Sequence, residues 1–119
     1  MAIRSMPAKG EMSMPRYLIQ ASYTREGLQG IMKEGGSGRR DAIGKMLADL
    51  GGSLESFHFA FGKEDAYVIV DVPDNVTAAA VGLTVGASGA VSTNTVVLLT
   101  PEEIDEATKR SISYRPPGK

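Results

Sequence analysis

Cysteine is missing from this 119-residue chain. Its absence rules out disulfides, thiolate metal sites, iron–sulfur clusters and a cysteine nucleophile. Histidine occurs once. No carboxylate pair has ligand spacing, so neither a metal nor a cofactor is expected. Neither sign of charge prevails: 13 Lys and Arg stand against 14 Asp and Glu, for a net charge of −1. That balance creates no broad field to recruit nucleic acid or an anionic membrane. Long apolar runs are missing too, and none approaches the roughly 18 residues of a spanning helix. The opening residues lack the apolar stretch of about 7–15 residues that a secretory signal needs. With no disulfide and no sorting signal, the expected location is cytoplasmic.

What remains suits one small globular domain. Hydrophobic residues make up 42% of the chain, enough for a core and too many for a disordered segment. Residues 1–13, with Pro7, Gly10 and scattered charge, read as a flexible arm, and Met14 is a second candidate start. Arg16 to Tyr23 is β-rich. Thr24 caps a helix with Leu28, Ile31 and Met32 on one side. Gly35-Gly36-Ser37-Gly38 breaks it, and a second helical piece runs to about Leu50. There Ile43, Met46, Leu47 and Leu50 form an apolar stripe. Strands are expected over Leu54–Phe61 and Ala66–Val72 with a short loop between them, which is a hairpin signal. Asp74 or Asn75 opens an alanine-rich helix to about Ser88. Val91–Leu99 is a β-branched fourth strand. Thr100-Pro101-Glu102-Glu103 is a capping-box helix start, leading to about Arg110. Residues 111–119 cannot continue that helix past Pro116-Pro117 and are expected to run extended.

The order βαββαβ with a terminal helix is the ferredoxin-like arrangement, an α+β fold with a four-stranded antiparallel sheet. The hairpin predicts its faces. If Phe61 faces Ala66, then Phe59 lies opposite Val68 and Phe57 opposite Val70, all on the face toward the helices. The other face carries Ser56, His58 and Ala60 with Tyr67, Ile69 and Asp71. No helix of the same chain covers it, so pairing with a second copy is the simplest cover.

The stretch from Met14 to about Ala107, about four-fifths of the chain, resembles the GYD-domain family. The resemblance rests on the opening from Pro15 to Gly27, the Gly62-x-x-Asp65 turn, Val70-Asp71-Val72-Pro73-Asp74, and the last strand leading into Thr100-Pro101-Glu102-Glu103. Glu64 stands where the family's tyrosine is expected. The resemblance implies the dimeric α/β-barrel superfamily and a homodimer. That superfamily includes cofactor-free monooxygenases, haem-degrading enzymes, isomerases and ligand-sensing domains, among which fold does not choose.

Five residues are candidates for chemistry. His58 is the natural acid–base group near neutral pH, with Tyr67 and Asp71 beside it as catalytic partners. The plainer reading makes His58 an interface histidine and pairs Asp71 with Arg16 or Lys45. Tyr17 and Tyr23 are candidate ligand-binding residues lining a cavity, or simply interface tyrosines. Gly35 to Arg40 has the glycines and arginines of an anion loop but lacks a Walker pattern, and a bend is its plainer use. The leading expectation is a small homo-oligomeric protein with a small-molecule pocket between sheet and helices. The alternative is a cofactor-independent oxygenase or isomerase acting on a small aromatic or carbonyl compound. An enzyme predicts a cavity of a few hundred Å³ with His58 or a tyrosine at its wall.

Overall fold

The computed structural model describes residues 14–119, and the arm expected over residues 1–13 lies outside the described residues. Seven elements follow in order: β1 (Arg16–Tyr23), α1 (Arg25–Asp49), β2 (Ser53–Phe59), β3 (Ala66–Asp71), α2 (Asn75–Ala87), β4 (Val91–Leu98) and α3 (Pro101–Thr108). The strands form one antiparallel sheet in the order β2-β3-β1-β4. This is the ferredoxin-like topology, with α3 appended.

Period-two alternation sorts the side chains. On β1 and β3, Tyr17 lies opposite Val70, Ile19 opposite Val68 and Ala21 opposite Ala66. These residues face the helices, and Tyr17, Ala21, Ala66, Val68 and Val70 are buried with Leu47 and Val72 as the core. The opposite face of the sheet carries Arg16, Leu18 and Gln20 against Asp71, Ile69 and Tyr67. On β2 it carries Ser56 and His58.

The hairpin differs from the expected register. Phe59 pairs with Ala66 and Phe57 with Val68, two residues out of step with the prediction. Phe61 does not face Ala66; it lies in the connection and is fully exposed. The cause is Asp65. Its N–H donates to the Ala21 carbonyl (2.9 Å), and its own carbonyl accepts from Ala60 N–H (2.8 Å). The Asp65 carboxylate also accepts from Tyr23 N–H (2.9 Å). The loop is thus tied to the end of β1 and the ladder begins only after it. A shift of two keeps every side chain on its face, so Phe57 still packs against the core. Phe59 reaches toward α1 beside Gly36 but stays 42% exposed.

Helix caps follow the sequence. The Thr24 hydroxyl accepts from Gly27 N–H, the Asp74 carboxylate accepts from Thr77 N–H, and Thr100 with Glu103 completes a capping box. Gly35 breaks α1 with φ +83° and ψ 164°, while helical hydrogen bonding resumes on both sides. Gly27 is a contact glycine. A Cβ there would lie 2.1 Å from the Ala90 carbonyl oxygen, so α1 can start against the α2–β4 connection only because no side chain intervenes.

The two long helices divide the sheet. α1 packs mainly on β2, α2 packs on β4, and neither packs extensively on the other. The strip above β1 and β3 is therefore spanned but not filled. α3 makes at most slight contact with any other element, and every residue from 99 to 119 is exposed.

Candidate functional site

The gap between the helices is a cavity of about 290 Å³. Ile19, Ala21, Phe57, Val68 and Val70 form its floor on the sheet, with Ile43, Met46 and Leu47 of α1 and Val81, Gly82 and Val85 of α2 above. Composition explains why it stays open. α2 presents mainly alanine, glycine, threonine and valine, which are too short to meet the side chains of α1 across the strip. A void with this lining forgoes dispersion contacts that a bound apolar molecule would restore.

Thr84 of α2 and Thr93 and Thr95 of β4 add hydroxyls to the wall. Tyr23, which pairs with Val91 at the start of β4, lines the cavity with Arg39 and Ser88 as a partly exposed rim. Burial pushes the Tyr23 phenol above its ordinary value of 10.0; the nearby Arg39 cation opposes that rise, and Asp65 and Glu34 add to it. The phenol is therefore protonated at neutral pH, able to donate one hydrogen bond and accept another. The Tyr23 ring also leans on Phe59, with centroids 6.4 Å apart, and Phe59 leans on Phe57 at 5.1 Å. This aromatic row fixes one side of the entrance. Arg39 is the one charged residue of the lining. Its sequence position, just past the broken helix, gave a weak anion signal; its direction depends on the backbone at Gly35.

The other candidates fall in two places. Tyr17, expected to line a cavity, is buried in the core outside the cavity lining, where its hydroxyl donates to the Asn75 side-chain oxygen. Burial raises its pKa, with Asp74 adding to the rise. His58 and Tyr67 lie directly opposite each other on the open face, with His58 exposed and Tyr67 half-buried. Asp71 is four residues further along β3, fully buried, and accepts two hydrogen bonds from Arg16, from Nε at 2.9 Å and Nη2 at 3.2 Å. Glu55, the extra residue at an irregularity between Leu54 and Ser56, places its carboxylate 3.2 Å from the same guanidinium. Lys45, the other expected partner of Asp71, instead bridges Asp49 along α1. The sheet thus separates Tyr23 from His58, Tyr67 and Asp71. Among the described residues, no group of three or more His, Asp or Glu could hold a metal ion. No described helix is long and apolar enough to cross a membrane.

The GYD domain profile matches residues 17–108. The chain belongs to the GYD domain family. No curated protein and no solved structure matches it. In this GYD domain the Gly62-x-x-Asp65 turn has a definite mechanical task. Asp65 clamps the loop to β1 as described above, and Glu64, at the position of the expected tyrosine, accepts a hydrogen bond from the Ser22 hydroxyl (2.7 Å). The turn therefore secures the strand that ends in Tyr23, and with it the polar rim of the cavity.

Proposed function

We propose that this GYD-domain protein binds a small, mainly apolar molecule in the cavity between sheet and helices, and does so as a homodimer. The cavity carries the reading. Its volume is at the low end of that usual for small-molecule sites, and its character is the usual one, a mainly apolar wall with a few polar groups. The dimer rests on the open face, where Leu18, Ile69, Val96 and Leu98 share one side of the sheet. Among the described residues, no helix packs on that side.

An oxygenase or isomerase working without a cofactor is the second reading, favoured by Tyr23 at the cavity wall. In that case the proton-handling group at the cavity is Tyr23. His58, Tyr67 and Asp71 would serve only a ligand held between paired open faces.

The test is a titration of isotope-labelled protein with small aromatic and carbonyl compounds, followed by two-dimensional NMR. Binding in the cavity perturbs Ala21, Val68 and Val81. Perturbations confined to His58 and Tyr67 would move the site to the other face, and no perturbation by any compound would count against a binding role.

A further inference from the structure

We infer that the molecule held in this cavity carries a carboxylate, which Arg39 receives. This rests on the cavity being a binding site and goes on to name the ligand's head group.

A guanidinium beside an apolar cavity costs free energy unless its donors are satisfied. The Arg39 Nε atom is shielded from water and has no hydrogen-bond partner among the described residues. Glu34 lies near it, with Oε2 at 3.2 Å, but as a neighbouring charge rather than an aligned acceptor. Arg39 is held there by the broken helix. Residues five apart on a regular helix point about 140° from each other, so Glu34 and Arg39 would not meet. The turn of the backbone at Gly35 brings them together. The Arg39 and Glu34 side chains are 31% and 38% exposed, so the ion pair meets solvent while Arg39 also lines the cavity. The glycine-rich segment is thus a hinge that aims Arg39, not a phosphate cradle.

The second head-group contact is Tyr23. It lines the same cavity, near enough for the Arg39 cation to act on its phenol. One planar guanidinium and one hydroxyl match the two oxygens of a carboxylate. Arg39 is the only cation in the lining, which balances a singly charged carboxylate and leaves a phosphate dianion half-neutralised. The volume sets the rest of the molecule: at interior packing density about 290 Å³ accepts roughly ten to fifteen non-hydrogen atoms. The class is a small aromatic or branched aliphatic acid.

Calorimetric titration of the full chain with 4-isopropylbenzoate and with 4-isopropylbenzamide separates the head group from the body. The two have the same shape and differ in charge. The acid should bind at least tenfold more tightly than the amide. Arg39→Gln should narrow that ratio below threefold, chiefly by weakening the acid. Arg40→Gln should change neither, since Arg40 is 55% exposed and sits against Asp41. Should Arg39→Gln fail to fold, Arg39→Lys keeps the charge without the planar fork and should give an intermediate ratio. Equal binding of acid and amide by the unaltered protein, or an unchanged ratio in the Arg39 variants, overturns the carboxylate inference and leaves the cavity reading standing. Binding of neither compound overturns the inference, and the cavity reading is then judged separately by the NMR titration.

Discussion

Asp71 and Arg16 form the most tightly built polar contact of the open face. The carboxylate is wholly buried, and hydrogen bonding to Asp71 is the main cause of the raised Arg16 pKa. Replacing Arg16 withdraws two charge-assisted hydrogen bonds from a buried acceptor. Arg16→Met should therefore lower the unfolding free energy by about 1–3 kcal/mol, measured by urea denaturation at neutral pH. The buried phenols set the alkaline limit. The Tyr17 and Tyr23 pKa values are raised by burial above the ordinary 10.0. Their stabilising contribution is complete below pH 10 and is lost as pH rises through the folded values. Stability should be level from pH 7 to 9 and fall above 10, with a shallower fall in Tyr17→Phe. At this scale the sequence was partly legible. The expected register set His58 opposite Ile69, and the structure pairs it with Tyr67; that His58, Tyr67 and Asp71 share a face survives the wrong loop length because side chains alternate with period two. The choice between Arg16 and Lys45 for Asp71 required coordinates, since both are simply cations in the right half of the chain. Arg39 was visible as an arginine after glycines, but its direction was not, because it depends on one dihedral pair at Gly35.

At the scale of elements, strands and caps were written in the sequence more plainly than the contacts between them. β1 and the Thr100 capping box fall where β-propensity and cap chemistry put them. The loop after β2 did not, because Asp65 binds β1, a strand more than 40 residues earlier, and no local rule anticipates that. The helix glycines divide in the same way. Gly27 is crowded by Ala90, while a Cβ at Gly30 would meet nothing within 4 Å. Gly30→Ala should stabilise by up to about 1 kcal/mol through helix propensity. Gly27→Ala should destabilise by about 1–3 kcal/mol, the range for overpacking. Thermal denaturation of the two single variants checks the opposite signs, which propensity alone would make equal.

For the whole molecule, the cavity and the open face have one origin: two helices, one of them short in its side chains, lie on one side of a four-stranded sheet, cover that side incompletely and leave the other bare. The sequence predicted the bare face with His58 on it and a pocket on the helical side, and those two readings together already separate His58 from the pocket wall. In the proposed dimer, Ile69 lies inside the interface. Ile69→Lys should convert the protein to monomer in sedimentation velocity while leaving the monomer folded by circular dichroism. The apolar residues Ile104, Ile112 and Tyr114 of α3 and the tail are exposed. The cavity itself is tested most directly at Gly82. This residue lines the void, and the nearest atom to an added Cβ is the Thr93 hydroxyl at 3.9 Å. Gly82→Leu places a good helix former on α2 and its side chain in the open space. Melting temperature and ligand titration on that one variant give the answer. The account predicts a higher melting temperature together with loss of binding. A lower melting temperature with ligand affinity unchanged would contradict it.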